Sequence, residues 1–194
     1  MSTVALTLDE VYQLAYACLS KAGADHANAD AVATTVQRAE RDGSVSHGLF
    51  RIPGYVATLE SGKVNGKADP QPELVTPALV RCHGQNGHAP LAIARCVDML
   101  ASAANTCGIA ALSLTHSHHF AALWPETEAL AERGLVGFAC VSYMPMVAPA
   151  GGKEALFGTN PISFAWPRPN NIPLVVDMAT AAMAMGEVQI AARD

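Results

Sequence analysis

The sequence predicts an α/β protein whose helices come first. Three observations lead there. The first sixty residues carry apolar positions at helical spacing, punctuated by caps. From Gly108 onward short apolar runs alternate with helix-like ones, the rhythm of strands and helices in an α/β domain. The composition, 51% hydrophobic and 15% charged, is that of a packed chain rather than a disordered one. With 194 residues there is room for one large domain or two small ones, and the change of rhythm puts a boundary near 112.

Thr7-Leu8-Asp9-Glu10 has the form of a capping box, with threonine at the N-cap and glutamate three residues on. Leu8, Val11, Ala15 and Leu19 follow on one helical face, and Gly23 ends the run. A second helix is expected from about Asn28 to Arg41, with Val32, Val36 and Ala39 inward and Gly43 as its stop. Leu49 to Glu60 forms a third, interrupted at Pro53 and closed by Gly62. Residues 66–77, rich in proline and polar side chains, read as a connection. Ala78–Cys82 reads as a short strand, and Pro90–Thr106 as a helix with Leu91, Ala94, Val97, Ala101 and Ala104 on one side. Ile109–Leu114 is then a strand, Trp124–Glu132 a helix and Leu135–Val141 a strand. Ile162–Ala165 and Leu174–Val176 are two more, before a helix-like run from Ala179. There is no internal repeat. The chain stops at GEVQIAARD directly after that run, so it is expected to be a truncated or trimmed form of a longer design.

Composition also excludes functions. The net charge is -5 with no basic run, which argues against a nucleic-acid partner. No apolar run is long enough for a membrane span, and MSTVALTLDEVY lacks the basic start and apolar core of a signal peptide. The five cysteines (Cys18, Cys82, Cys96, Cys107, Cys140) are scattered without a C-x-x-C pair. They are read as reduced, buried thiols of a cytoplasmic protein.

Four stretches could carry chemistry. THSHHFAALWPE packs His116, His118 and His119 into four positions. Zinc needs three or four ligands from separate directions, whereas alternation along a strand turns His119 away from the other two, and no H-E-x-x-H or acidic cluster supports them. A ligand-facing loop is the better reading, in which the small residues after His119 let a ligand approach free backbone N–H groups. A loop of histidines with no role stays open. RDGSVSHGLFR places Ser46 beside His47 and Arg51 four residues later. If a helix starts here, His47 and Arg51 share a face. An imidazole can move a proton near neutral pH, and a guanidinium can hold a carboxylate by two hydrogen bonds. A surface arginine and a capping serine fit the spacing equally well. A serine hydrolase does not, because sequence neighbours do not align Oγ with the ring and no G-x-S-x-G elbow is present. In FGTNPISFAWP, Gly158 permits an unusual backbone angle and Thr159 offers a hydroxyl. In VVDMATAAMAMGEVQ, Asp177 closes an apolar strand, as a site acid or as a helix cap, with Glu187 ten residues later. No G-x-G-x-x-G occurs, so a dinucleotide would be bound without the usual fingerprint.

DGSVSHGLFRIPGYV, SHHFAALWP, LFGTNPISFAWP and VVDMATAAMAMGEVQIAAR, in that order, resemble the malate/L-lactate dehydrogenase-type family of NAD(P)-dependent oxidoreductases. This family is separate from the Rossmann lactate and malate dehydrogenases. HHFAALWP is similar to its branch of delta-1-piperideine-2-carboxylate and delta-1-pyrroline-2-carboxylate reductases. The resemblance implies N-terminal helices plus a non-Rossmann NAD(P)-binding α/β domain, incomplete at the C-terminus. Residues 1–112 would form the helical and substrate-binding region and 113–194 the first part of the cofactor domain. It implies reduction of a cyclic imino acid by NADPH, or by NADH, in a cytoplasmic homodimer. His47 would be the proton donor, with Ser46 beside it and Glu187 completing the relay where close relatives carry an aspartate. Arg51 and Thr159 would contact the substrate. His119, Phe120, Ala121, Ala122, Leu123, Asp177, Met178 and Ala179 would line the cofactor site. The alternatives are a dehydrogenase of an open-chain 2-hydroxy or 2-oxo acid, such as malate or lactate, and a catalytically inactive remnant lacking a Gly-rich segment of the family.

Overall fold

A computed structural model of the chain describes residues 4–119 and 121–193. The chain divides into two compact units, Met1–Ala121 and Ala122–Asp194.

In the first unit three helices share one apolar core. Helix α1 (Leu8–Lys21) starts at Thr7, where the capping box is complete: the Thr7 hydroxyl accepts the Glu10 N–H and the Glu10 carboxylate accepts the Thr7 N–H. Helix α2 (His26–Arg41) is capped by Asp25, and α3 (Ile52–Glu60) carries Pro53 in its first turn. Proline has no N–H to lose there, so Pro53 begins this helix instead of interrupting it. Leu19, Ala29, Val32, Ala33 and Val36 are buried against Tyr55, Leu59 and Val64.

The same unit holds a three-stranded sheet. Strand β1 (Pro72–Thr76) pairs antiparallel with β2 (Leu79–His88), which runs through helix α4 (Ala89–Cys107) to the parallel strand β3 (Ala111–His118). A parallel neighbour requires such a crossover. Because β3 pairs with β2, the break between the units lies past the position near 112 where the sequence changes rhythm. Strand β1 falls inside the segment read as a connection. It is a short edge strand whose residues after Pro72 are exposed, so no buried alternation announced it.

In the second unit, strands β4 (Gly137–Cys140), β5 (Ile162–Arg168) and β6 (Asn171–Met178) form an antiparallel sheet in that order. Helix α5 (Trp124–Ala131) packs on it, with the buried hydroxyls of Thr127 and Ser163 2.7 Å apart. Helix α6 (Met185–Arg193) starts six residues after the Ala179 expected from sequence. All five cysteines are free. Only Cys82 and Cys96 are buried, and Cys107 and Cys140 are exposed, so the expectation of uniformly buried thiols is corrected. No helix among the described residues is long and apolar enough to cross a membrane.

Candidate active site

The end of α2 delivers the Ser46–His47 segment. The Ser44 N–H donates to Ala39 O at 2.8 Å and the Gly43 N–H to Glu40 O at 3.2 Å, with Gly43 at φ +74°. This six-to-one and five-to-two pair closes the helix and needs the left-handed residue that glycine supplies. Two short 3₁₀ turns follow, Val45–His47 and Leu49–Arg51, in place of the α-helix start expected from the spacing. Glu40 holds them: its carboxylate accepts the Leu49 N–H at 2.7 Å. A Cβ on Gly48 would lie 2.0 Å from that carboxylate, so residue 48 must be glycine for the clamp to close.

The ring of His47 meets two hydroxyls. Ser46 Oγ lies 3.0 Å from its Nδ1 and Ser44 Oγ 3.3 Å. Ser46 is buried, at 5% exposure, while Ser44 is half-buried. Burial depresses the His47 pKa to about 4, assisted by the positive charge of Arg51 and by His119. The ring is therefore neutral at neutral pH. The same interactions place Arg51 and His119 in its electrostatic neighbourhood, so four of the expected site residues, Ser46, His47, Arg51 and His119, gather in the first unit.

The other histidines of this unit do different work. His88 is buried, its ring edge-on to Tyr55 at 4.9 Å and its Nε2 3.4 Å from the Thr58 hydroxyl. Its pKa is likewise lowered to about 4 by burial and by His118. His116 sits at φ +51° where β3 slips in register against β2, and its ring stacks on His83 at 4.2 Å. Among the described residues no group of three or more His, Cys, Asp or Glu is placed to hold a metal ion. Phe120 lies outside the described residues.

In the second unit Asp177, next to last in β6, caps α5. One carboxylate oxygen accepts the N–H groups of Leu123 and Trp124 at 2.7 and 2.8 Å. Of the two roles open to this acid in the sequence, the helix cap is the one formed. It also corrects the expectation of free N–H groups after His119, because these two already face an anion. Ala121 and Ala122 are largely buried and Leu123 fully so. Met178 is exposed and Ala179 half-buried at the end of β6. Thr159 is buried at 8% exposure, and its carbonyl accepts the Thr180 N–H at 2.9 Å. Gly158 is needed for closeness rather than for an unusual angle: a Cβ there would lie 2.4 Å from Tyr143 O. The positive φ belongs to Asn160, at +40°. Glu187 sits exposed in the first turn of α6.

The sequence matches the malate/L-lactate dehydrogenase family over residues 6–194. The chain belongs to that family. It is 46% identical over 192 residues to the delta(1)-pyrroline-2-carboxylate/delta(1)-piperideine-2-carboxylate reductase of Pseudomonas putida, covering 99% of this chain and 56% of the relative. To the enzyme of the same name from Pseudomonas syringae pv. tomato it is 51% identical over 166 residues, 86% of this chain and 48% of that one. The crystal structure of delta1-piperideine-2-carboxylate reductase from Pseudomonas syringae pvar. tomato superposes with a TM-score of 0.93 at 46% identity. That match covers 98% of this chain and 57% of the other. Malate dehydrogenase from Pyrococcus horikoshii OT3 gives a TM-score of 0.88 at 28% identity, over 96% and 53%. The chain thus spans about half the length of the relatives it matches.

Two residues of this family member escaped the sequence reading, Ser44 and Glu40. Ser44 carried a weak signal, as a serine directly after a glycine stop. Glu40 carried none, because its contact nine residues on exists only once α2 has ended and the chain has doubled back.

Proposed function

We propose that a protein carrying this chain reduces cyclic imino acids with NAD(P)H, turning delta-1-piperideine-2-carboxylate into L-pipecolate and delta-1-pyrroline-2-carboxylate into L-proline. The observation that carries this reading is His47, with Nδ1 facing two hydroxyls and Arg51 one turn on. Identities of 46% and 51% to reductases named for both substrates support it.

NADPH, when bound, supplies the hydride that reduces the C=N carbon. Arg51 grips the substrate carboxylate and so fixes the distance of that carbon. The imine nitrogen must gain a proton. A neutral His47 whose Nδ1 accepts from a serine hydroxyl carries its proton on Nε2 and can give it up there. Nδ1 takes a proton from Ser46 in the same step, and Glu187 is the acid proposed to restore it. Thr159 is proposed as a further substrate contact.

For the cofactor, His119 to Leu123 and Asp177 to Ala179 are the proposed lining. Met178 offers an exposed, pliable apolar side chain for a flat ring. The phosphates need other donors, because Asp177 already occupies the N–H groups of Leu123 and Trp124. NADPH over NADH is part of the proposal.

The fold-level likeness to a malate dehydrogenase keeps a second reading, reduction of an open-chain 2-oxo acid. Purified protein given NADPH and either piperideine-2-carboxylate or pyruvate separates the two. The proposal expects NADPH consumption with the cyclic imine at a kcat/KM at least about a hundredfold higher, roughly 3 kcal/mol of discrimination. Equal or reversed preference would replace it with the second reading.

A further inference from the structure

We propose that Ser44 is a second positioning residue for His47: its hydroxyl holds Nδ1 from the solvent side and can take over the task of Ser46. The proposal rests on the function given above for His47, and it deepens it.

Ser44 heads the 3₁₀ turn Val45–His47, and its carbonyl accepts the His47 N–H at 2.8 Å. A serine in that place ordinarily turns its Oγ onto a backbone N–H of the turn it begins. Here it makes no such cap, and the Oγ instead lies 3.3 Å from His47 Nδ1. The ring is thus approached by two hydroxyls at one nitrogen, and an imidazole nitrogen has only one in-plane site, a lone pair or an N–H. The two hydroxyls therefore compete for it and can substitute for one another.

They differ in access to water. Ser46 is buried and Ser44 half-buried. A proton drawn from Ser44 is replaced directly from solvent, whereas Ser46 needs a protein group behind it. In the step itself the Nε2 proton goes to the imine nitrogen, a hydroxyl proton goes to Nδ1, and water restores the hydroxyl, so protons balance without a further residue.

The backbone keeps the three groups together. Ser44 N–H is tied to Ala39 O three residues before the ring, and Leu49 N–H to the Glu40 carboxylate two residues after it. Both hydroxyls thus face the same ring nitrogen.

The test is a double-mutant cycle with two readouts. On imine reduction, Ser46→Ala and Ser44→Ala should each lower kcat by less than about tenfold, and the pair together by at least about a hundredfold, the size of a lost general acid. KM should change little throughout. Ser44→Thr in the Ser46→Ala background keeps a hydroxyl and should restore most of the loss. The second readout needs no activity. The nitrogen chemical shifts of His47 report which ring nitrogen bears the proton, and Ser46→Ala alone should keep it on Nε2 while the double variant should not. If removing Ser44 from the Ser46→Ala protein alters neither kcat nor the ring shifts, the proposal is overturned. Unchanged activity in His47→Ala would instead overturn the function assigned to the ring, while the nitrogen shifts would still decide whether Ser44 holds it.

Discussion

The two units of this chain bury their apolar residues in opposite ways. The first closes a helical core in which Ala15, Leu19, Ala29 and Val36 have no exposure. The second has a sheet with one covered face and one open one. Ser163 and Ala165 of β5 are buried on the side that carries α5. On the other side Phe138, Trp166, Leu174, Val176 and Met178 are exposed, in register across the three strands: Phe138 opposite Phe164, Phe164 opposite Val176, Trp166 opposite Leu174. Single exposed apolar side chains are ordinary on a protein surface, but here they are neighbours on one face. The lesson is that period-two alternation identifies strands without telling which face is covered, since both faces of β5 and β6 carry small or apolar residues.

The comparison is sharpest in the cost of truncating one leucine. In the 194-residue polypeptide, Leu19→Ala should cost about 2–5 kcal/mol, as for a fully buried leucine. Leu174→Ala, half exposed on the open face, should cost less than about 0.5 kcal/mol. Denaturant unfolding measures both, and Trp124 and Trp166 both lie in the second unit, so tryptophan fluorescence reports that unit. Equal losses would mean that the open face is packed in solution as tightly as the helical core.

Acid should separate the units next. All seven histidines lie in the first one. His47 and His88 fall from an ordinary value of 6.5 to about 4 on folding, so between those values the unfolded chain binds the protons first. Their contribution is fully present above pH 6.5 and is lost as pH falls towards 4. For each ring it amounts to about 3 kcal/mol. Amide exchange in α1 to α3 should therefore quicken across that window more than exchange in β4 to β6. A uniform response of both units would break the comparison.

Much of the first unit was legible because its signals are local. The Thr7 capping box, the Gly43 stop and the apolar face of α2 each lie within a few residues, and each formed as read. Ser46, His47 and Arg51 also lie within a few residues of one another, but two 3₁₀ turns carry them rather than the helix start that their spacing suggested. What escaped was non-local or geometric. Strand β1 depends on pairing with β2, the Glu40 clamp on the chain reversing after α2, and the slip at His116 on the register between β2 and β3. Pro53 was misjudged because proline means a break inside a helix and a start at its first turn, and only the 3₁₀ turns before it decide which.

A further expected effect is local to the second unit. Asp177→Ala removes the acceptor for the Leu123 and Trp124 N–H groups and should cost about 1–2 kcal/mol. Asp177→Asn, which keeps an acceptor oxygen, should cost less. Exchange at those two amides should rise while α1 to α3 stay unchanged. A loss spread over both units would show that the cap serves more than α5.

The central claim is that His47 moves the proton for imino acid reduction, and the most direct measurement is kcat of His47→Ala with NADPH and piperideine-2-carboxylate, beside NADPH binding to the same protein. The account predicts a fall in kcat of at least about a hundredfold with cofactor affinity near normal. An unchanged kcat would contradict it.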